Sequence, residues 1–305
     1  MAYREITCKT AMNKLKKSRL PYLYDLNIYR GCAHGCRYCF ALYSHQYMES
    51  ADFYGDIFVK TNVVEQLEKQ LKSPRWQGEV INIGGVTDSY QPAEAKYCLM
   101  PQILELMIKY RNPIILSTKS DLILRDFDLI DKLASLTYVN VASTITTADE
   151  SLRQKLEPGG VSFQRRFAML EAFSATKASR GLHVMPVIPF LTDSRQNLEQ
   201  LFQRGRESKV SYLLAEPLNL RGRTRYVFFA CLREHYPLYL RGLEELYQSG
   251  RLDREYLFQL YQLLAELRKS YGLTANCLGP QKARLKELLP ARDGQDEAGG
   301  QLSLF

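Results

Sequence analysis

Residues 31–40 read GCAHGCRYCF and carry three closely spaced cysteines, Cys32, Cys36 and Cys39. A structural zinc site needs four ligands, commonly in two pairs, and this stretch offers one triplet with no second pair. His34 lies inside the loop, but a residue so close to three ligands rarely folds back to complete a tetrahedron. Three thiolates suit a [4Fe–4S] cluster instead, in which the fourth iron keeps a position open for another ligand.

The composition is that of a soluble globular protein. The 305 residues are 46% hydrophobic and 24% charged, enough for one large α/β domain or two smaller ones. The seven cysteines are odd in number and mostly scattered, which argues against a secreted disulfide framework. Because residues 1–20 lack the apolar run of a signal peptide and no stretch is long enough to cross a bilayer, we expect a cytoplasmic protein with no membrane partner.

Short apolar runs alternate with helical patterns through the middle of the chain. This alternation predicts an α/β fold, a parallel sheet with helices outside it, and six units instead of eight indicate a partial (β/α)6 barrel of the TIM type. Such folds bind ligands at the carboxyl ends of the strands, where the cysteine loop, GGVTD (84–88) and STKSD (117–121) fall. The six predicted strands cover residues 26–31, 79–85, 113–118, 138–144, 182–188 and 211–217.

Helices are predicted between these strands and after them. One is capped by Asn62, a second runs from residue 94 to about residue 110, and a third begins at Ser162 and stops at Gly181. Residues 232–289 are helical in pattern, and we expect these C-terminal helices to pack on the flank of the barrel.

The cysteine loop resembles the C-x3-C-x2-C signature of the radical S-adenosylmethionine (SAM) enzymes, with Tyr38 as the aromatic residue before the last cysteine. The resemblance implies two cofactors, a [4Fe–4S] cluster and SAM, and an electron donor such as flavodoxin or ferredoxin. It also implies that the reduced cluster cleaves SAM to methionine and a 5′-deoxyadenosyl radical, which abstracts a hydrogen atom from the substrate.

Further motifs resemble the spore photoproduct lyase superfamily and its bacterial relatives, often labelled DNA repair photolyase-like. They occur in order as NIGGVTDSYQPAE (82–94), ILSTKSD (115–121), ASTITTADESLRQKLEPGGVSFQRRF (142–167) and VMPVIPFLTD (184–193). The resemblance implies a DNA substrate and a repair-lyase or a base- or sugar-modifying reaction. The alternatives are a radical SAM enzyme acting on RNA, a peptide or a small molecule, and a non-catalytic iron–sulfur protein that binds nucleic acid or the sliding clamp.

The resemblance also assigns residues to SAM. It implies that the turn containing Gly84, Gly85, Thr87 and Asp88 contacts the methionine end, and that Lys119 pairs with the SAM carboxylate. Adjacent glycines suit this role because they let the backbone approach a ligand closely.

Later motifs contribute a second group of cofactor residues. The resemblance implies that Ser143 lies at the ribose or carboxylate of SAM, that Glu157 and Arg166 form a pair that braces the site, and that Pro186 and Val187 border the adenine. Each has a plain structural alternative, such as a turn residue or a surface ion pair of little energetic consequence.

One position departs from the lyase. There a cysteine in the second-strand turn returns a hydrogen atom to the substrate radical, and alignment on Asp88 puts Gly85 at that position. Cys277 and Tyr43 are therefore candidate catalytic residues, and Cys98 is a further source of a thiol. The structural alternative for Cys277 is a buried, inert side chain among leucine-rich helices.

Two basic stretches suggest contact with nucleic acid, in keeping with a net charge of +8. The first lies within residues 1–37, where basic residues outnumber acidic ones. The second, RGRTRYVFF (221–229), places arginines beside aromatic residues, a combination suited to phosphate contact and base stacking. The alternative is a solvated face beside a buried aromatic cluster. The predicted contacts are Lys14, Lys16, Lys17, Arg19, Arg221, Arg223 and Arg225.

The chain ends in QLSLF, after a polar stretch that is typical of a flexible linker. This peptide resembles those that dock bacterial repair enzymes onto the β sliding clamp, through Gln301, Leu302, Leu304 and Phe305. The alternative is an apolar end that folds back on its own protein. We thus expect a radical SAM barrel with a basic N-terminal extension over 1–230, a helical extension over 231–290 and a tail over 291–305.

Overall fold

The structure is a computed structural model and describes residues 1–16, 20–48 and 50–288. Lys17, Arg19 and the whole QLSLF peptide lie outside these ranges. The strands are, in chain order, β1 (Ala2–Ile6), β2 (Met12–Lys14), β3 (Tyr24–Leu26), β4 (Tyr29–Arg30), β5 (Asp56–Lys60), β6 (Ile81–Ile83), β7 (Ile114–Thr118), β8 (Val139–Thr144), β9 (Ser179–Val187) and β10 (Tyr212–Pro217).

Helices connect these strands and follow the last of them. They are α1 (Val63–Leu71), α2 (Pro92–Tyr97), α3 (Leu99–Tyr110), α4 (Phe127–Leu136), α5 (Glu150–Leu156), α6 (Phe163–Ala172), α7 (Arg195–Glu207), α8 (Gly222–His235), α9 (Leu240–Leu246), α10 (Arg254–Tyr271) and α11 (Leu278–Leu288). Tighter 3₁₀ helices cover Phe40–Tyr47, Asp121–Asp126, Phe173–Ala175 and Pro237–Tyr239. Within the described ranges, no helix is both long and apolar enough to cross a membrane.

The main sheet has the strand order β10-β9-β8-β7-β6-β3-β2. Neighbours from β3 to β10 run parallel, and β2 joins β3 antiparallel at one edge. The edge strands β10 and β2 do not pair with each other in the described part of the chain, so the barrel is open. The expected α/β fold, a partial barrel with six parallel strands, is confirmed.

The two faces of this sheet differ in chemistry because successive side chains point to opposite sides. On the outer face, Ile83, Leu116 and Val141 join the main hydrophobic core with Leu67 of α1 and Ile103 of α3. Burial of this face by the crossover helices is the expected source of its stability.

The inner face carries polar side chains among its apolar ones. Asn82, Ile115 and Asn140 are register neighbours on β6, β7 and β8. The Asn140 amide donates to Ser179 Oγ at 2.9 Å and accepts from the Tyr212 hydroxyl at 3.0 Å. The interior of the barrel is therefore hydrogen-bonded as well as packed.

The first predicted strand, 26–31, is divided between two sheets. β3 ends at Leu26 and belongs to the main sheet, whereas β4 pairs with β5 in a small sheet of order β1-β5-β4. The chain changes sheet at Asn27, whose side chain donates to Asp25 and accepts from the Val86 N–H at 2.9 Å. The prediction of one continuous strand was wrong because these tertiary contacts redirect the backbone.

Two predicted helices also differ from the structure. The helix expected over 94–110 is divided at Cys98, which has φ of +49°, and the Glu94 carboxylate accepts from two N–H groups at the start of α3. The helix expected to stop at Gly181 ends instead at Ala172, and Gly181 lies in β9. A Cβ at Gly181 would lie 2.4 Å from the Tyr212 ring, so this glycine makes room for a side chain of the neighbouring strand.

The caps were predicted with mixed success. Ser162 caps α6 by accepting from the Arg165 N–H at 3.3 Å, as predicted. Asn62 precedes α1 but makes no capping hydrogen bond, since its side chain bonds both backbone groups of Cys8.

The C-terminal helices cover two parts of the barrel. α10 packs on α7, where Glu266 pairs with Arg195 at 2.8 Å. α11 closes the amino-terminal end of the barrel, because Leu285 packs against the cluster of Val80, Ile115 and Tyr138. The domain division at residue 230 stays a prediction, and it falls inside α8.

Candidate functional site

The cysteine loop connects β4 to the 3₁₀ helix Phe40–Tyr47. Gly31 begins it with φ of +83°, and a Cβ there would lie 2.7 Å from a backbone oxygen of β5. Cys32 and Cys36 are buried, Cys39 is half-buried, and all three thiols are free. The Tyr54 hydroxyl donates to the carbonyl of Cys36 at 2.8 Å. The loop is thus held from one side by the segment that precedes β5.

Side chains near the turn after β6 hold the loop from the other side. Thr87 Oγ1 and Gln91 Nε2 donate to the carbonyl of Gly31 at 2.6 and 3.2 Å. The Gln91 amide oxygen accepts from the Ala33 N–H at 2.9 Å. Gln91 is fully buried and was not predicted, because its role depends on a loop far away in sequence.

His34, also buried, joins the cysteine loop to two other segments. Its Nε2 lies 2.9 Å from Asp88 Oδ2, and its Nδ1 lies 3.0 Å from the carbonyl oxygen of Gly159. A carboxylate and a carbonyl oxygen only accept, so each ring nitrogen of His34 faces an acceptor. His34 is therefore a structural tie between the loop and its surroundings.

Asp88 is the acceptor at the centre of this arrangement. Besides His34, its carboxylate accepts from Thr118 Oγ1 at 2.8 Å and from the N–H groups of Lys119 and Tyr90 at 2.9 Å each. Burial acts to raise the pKa of Asp88, but His34 and the backbone donors outweigh it and hold the pKa at about 2. The carboxylate thus links the end of β6 to the end of β7.

Lys119 extends from the end of β7 toward the cysteine loop. Its ammonium lies 5.8 Å from the centroid of the Tyr38 ring, a cation–π distance. Among the described residues, this ammonium has no hydrogen-bond acceptor and no carboxylate within ion-pair distance. Burial acts to lower the pKa of Lys119, but nearby Cys36 and Glu157 outweigh it and raise the pKa.

Glu157 and Arg166 form a buried ion pair beside Tyr38. The carboxylate and guanidinium are 2.5 Å apart, with exposed side-chain fractions of 0% and 1%, so the surface-pair alternative is excluded. Glu157 also accepts a hydrogen bond from the Tyr38 hydroxyl. Burial acts to raise the pKa of Glu157, but Arg166 and Lys119 hold it below its usual value. This pair orients the aromatic side chain of the cysteine motif.

The residues of the loop fit an iron–sulfur cluster. Burial raises the pKa of each thiol, that of Cys36 to about 12, so a bound cation is needed to stabilise thiolates here. In the described ranges no three His, Cys, Asp or Glu side chains converge on a single metal-ion position. Cluster ligands bind separate irons, however, so their sulfur atoms need not converge. The donor set is three free thiols on one buried loop.

The two glycines of the second-strand turn have different physical roles. Gly84 has φ of +91°, a left-handed conformation that favours glycine. A Cβ at Gly85 would lie 2.4 Å from the Asp25 carboxylate, which the amides of Asn27 and Asn82 hold in place. Asp25 therefore packs directly against Gly85 and leaves no room there for a side chain.

The last three predicted cofactor residues, Ser143, Pro186 and Val187, differ in how accessible their side chains are. Ser143 is fully buried and its hydroxyl donates to the carbonyl of Thr118 at 3.0 Å, so it joins β8 to β7. The Val187 side chain is in the main core. Pro186, after a cis peptide bond, is half-buried and offers the more accessible surface near the end of β9.

The two catalytic candidates are not close to each other. Burial raises the pKa of Tyr138 to about 12, and Cys277 contributes, so this thiol lies near Tyr138. Tyr138 immediately precedes β8, at the end of the strands opposite the cysteine loop. Tyr43 lies on the 3₁₀ helix after Cys39 and is 53% exposed.

The predicted nucleic-acid contacts also lie at two different ends of the barrel. Lys14 pairs in register with Tyr24, the first residue of β3, so this lysine lies at the amino-terminal end of the barrel. Arg221 and Arg223 are exposed beside the cysteine loop, because Thr224 Oγ1 donates to the carbonyl of Cys39 at 2.8 Å.

Arg225 and Lys16 complete the predicted set. The Arg225 guanidinium lies 4.8 Å from the centroid of the buried Phe229 ring and packs against the aromatic cluster. Lys16 is exposed and follows β2. The structure places the exposed Arg221 and Arg223 beside the cysteine loop, and it places Lys14 at the opposite end of the barrel.

An open parallel barrel with a three-cysteine loop at the carboxyl ends of its strands defines a class of iron–sulfur enzyme. The family model of the radical SAM superfamily matches residues 26–202, and the chain belongs to this superfamily. It is a radical SAM enzyme whose cofactors are a [4Fe–4S] cluster and SAM, which confirms that expectation.

Individual relatives agree with this assignment. An uncharacterised protein of Mycobacterium tuberculosis is 35% identical over 281 residues, which cover 90% of this chain and 83% of the relative. An uncharacterised protein of Methanocaldococcus jannaschii is 30% identical over 170 residues, covering 56% of this chain and 62% of that protein.

Among solved structures, a spore photoproduct lyase mutant with bound AdoMet and dinucleoside spore photoproduct has a TM-score of 0.58. It is 15% identical, and the match covers 77% of this chain and 66% of the lyase. Spore photoproduct lyase complexed with the dinucleoside alone gives 0.58 at 16% identity and the same coverage. At this identity the likeness shows the fold alone.

Proposed function

We propose that this radical SAM enzyme acts on DNA, that Cys32, Cys36 and Cys39 hold its cluster, and that Lys119 binds the carboxylate of SAM. The observation that carries the proposal is the Lys119 ammonium, which belongs to a half-buried side chain near Cys36 and has no acceptor among the described residues. A partly desolvated cation without a partner is unfavourable, and a ligand carboxylate at the open iron would supply that partner.

When bound, the cluster and SAM supply a 5′-deoxyadenosyl radical that removes a hydrogen atom from a C–H bond of the substrate. The protein residues position these groups. The Glu157–Arg166 pair orients Tyr38, and the contact between His34 and Asp88 fixes the loop against the sheet. The backbone at Gly84 and the surface of Pro186 are the proposed contacts for the two ends of SAM.

The proposed DNA substrate is supported by the charge around the cysteine loop. Arg221 and Arg223 are exposed, and neither forms an ion pair with the described residues. Tyr226, one helical turn further along α8, is 77% exposed. Cations without acidic partners are available for phosphates.

We further propose that the reaction does not return hydrogen through a thiol in the second-strand turn. Asp25 occupies the space next to Gly85, and Cys277 lies at the other end of the barrel. The reaction is a repair-lyase step or a base or sugar modification in which the hydrogen atom comes from elsewhere.

The test is anaerobic reconstitution with iron, sulfide, SAM and a reductant, followed by measurement of 5′-deoxyadenosine. Ala at Cys32, Cys36 or Cys39 should abolish bound iron and SAM cleavage, and Cys98→Ser, at an exposed cysteine, should leave both unchanged. Retention of cluster and cleavage in any of the three Ala variants would overturn the cluster assignment.

The substrate is tested with the same assay. Ultraviolet-damaged and undamaged DNA are compared with RNA and peptides as stimulators of 5′-deoxyadenosine formation. Stimulation by DNA is expected, and stimulation by RNA or peptide alone would overturn the DNA proposal.

Two partners complete the proposal. The enzyme takes its electron from a donor such as flavodoxin or ferredoxin, and the peptide at residues 301–305, outside the described residues, docks on the β sliding clamp. Removal of those five residues should abolish co-purification with the clamp while SAM cleavage is retained. Equal clamp binding by the shortened chain would contradict the docking role.

A further inference from the structure

The 3₁₀ helix Phe40–Tyr47 presents an exposed aromatic stripe next to the cluster loop. Residues 40, 43 and 46 are exposed, whereas the intervening pairs 41–42 and 44–45 are buried. This period of three is that of a 3₁₀ helix, in which side chains three apart lie above one another. Phe40 and Tyr43, 60% and 53% exposed, therefore share the outer face with Gln46.

The buried face of the same helix holds this orientation. His45 packs edge-on against Phe53 at 5.4 Å between ring centroids and contacts Phe58 at 5.6 Å. Ala41 and Leu42 are also in the interior. Rotation of the helix to bury its aromatic rings would expose these residues, so the outward stripe is fixed by packing.

Exposed arginines flank the stripe. α8 begins against this segment, because Thr224 donates to the carbonyl of Cys39 and Arg223 Nη2 donates to the carbonyl of Ala51 at 2.6 Å. The two hydrogen bonds place the start of α8 at both ends of the segment that contains the stripe. Arg221 and Tyr226 are exposed on this part of the chain.

We propose that this surface, defined by Phe40, Tyr43, Arg221, Arg223 and Tyr226, binds unpaired DNA nucleotides, with bases stacked on the rings and phosphates at the arginines. The inference deepens the proposed function and rests on it. Stacking needs the face of a base to be accessible, which it is in a single strand or an extruded nucleotide and is not in a closed duplex. The exposed arginines beside the rings favour a nucleic acid over an apolar partner, because they can contact phosphates.

The aromatic stripe lies where a bound base would be close to the proposed cluster. Phe40 directly follows Cys39, so a base stacked on it would be held beside the proposed cluster loop. A nucleotide removed from the duplex there would present its C–H bonds to the site. A double-stranded segment could not approach as closely, because its bases are enclosed in the stack.

The experiment is fluorescence anisotropy of reconstituted full-length enzyme with a labelled DNA single strand and with its duplex. Phe40→Leu/Tyr43→Leu should weaken binding to the single strand about tenfold or more, as loss of stacking on two rings predicts, and affect the duplex less. The control, Arg254→Gln/Phe258→Leu, changes an exposed arginine and a 58% exposed phenylalanine on α10 and should change neither affinity.

Two further variants separate stacking from charge. Phe40→Trp/Tyr43→Trp should bind the single strand at least as tightly as the wild type. Arg221→Gln should reduce the slope of log affinity against log salt by about one phosphate contact for both DNA forms.

The outcomes distinguish the two proposals. If the wild type binds DNA and the Leu variant binds the single strand equally well, stacking is overturned while the DNA substrate stands. If the wild type binds neither form, both fail. Retained iron content and an unchanged midpoint of urea unfolding in the Leu variant confirm that it is folded.

Discussion

The imidazole of His34, inside the cysteine loop, lies 2.9 Å from the carboxylate of Asp88, which follows β6. The side chains are 3% and 9% exposed, so the contact is shielded from solvent. It joins the segment that carries the thiols to the carboxyl ends of β6 and β7. A cluster held by this loop would depend on the contact although neither residue is a ligand.

Asp88→Asn removes the negative charge from that contact. It should destabilise the protein by about 3–5 kcal/mol, because the buried hydrogen-bond donors around residue 88 lose their charged acceptor. Anaerobic urea unfolding measures the free energy, and iron content after reconstitution should fall. Asp121→Asn, in an exposed pair with Arg165, is the control and should cost under about 1 kcal/mol. Equal losses in the two variants would remove the special role of Asp88.

Lys119→Met should weaken SAM binding about ten- to a hundredfold, since it deletes the proposed charge-assisted hydrogen bond to the carboxylate. Equilibrium binding of SAM to the reconstituted enzyme is the measurement. Lys155→Met, which removes a lysine 5.1 Å from the Tyr236 ring, is a matched change outside the site. An unchanged SAM affinity in Lys119→Met would contradict the assignment.

Gly85→Ala should destabilise the protein by about 1–3 kcal/mol, because the new Cβ would meet the Asp25 carboxylate. In an Asp25→Ala background the same substitution should cost less, and the double-mutant cycle measures the difference. Additive losses would show that the two residues do not compete for one space.

The His183 side chain predicts a pH dependence of stability. Burial lowers the pKa of His183 from 6.5 to about 4, with a further effect of Lys119, so the unfolded chain binds this proton more readily than the folded protein. Above pH 6.5 the His183 imidazole is neutral in both the folded and the unfolded state, so the free energy of unfolding has its full value. As the pH falls from 6.5 toward about 4, this free energy decreases by at most about 3 kcal/mol.

His183→Gln should therefore flatten the decline in unfolding free energy over this interval relative to the wild type. His235→Gln, at a partly exposed residue near the end of α8, is the control and should follow the wild-type profile. If the two variants show the same acid dependence, His183 does not control stability in this range.

Local patterns predicted the architecture well. Strand–helix alternation identified the six parallel strands, and the cysteine spacing with Tyr38 identified the superfamily. Errors occurred where a distant contact overrides local preference, as at Asn27, where the chain leaves one sheet for another, and at Gly181, which accommodates Tyr212. The small sheet was missed because β4 is short and pairs with strands separate from the main sheet.

The candidate site was predicted only in part for the same reason. Lys119, Glu157 and Arg166 were found by resemblance, and the geometry places them around Tyr38. Gln91 has no local signal, since its partners are about 60 residues earlier in the chain.

The sequence alone determined the class of chemistry and the alternation of strands and helices, because both depend on spacing between near neighbours. The tertiary structure decided which groups meet: the carboxylate that fills the space beside Gly85, the separation of Cys277 from the cysteine loop, and the outward face of Phe40 and Tyr43. These depend on contacts between distant segments and on which face of an element is buried. The periodicity of the sequence limits which face of an element can be buried, and tertiary packing determines which face is buried.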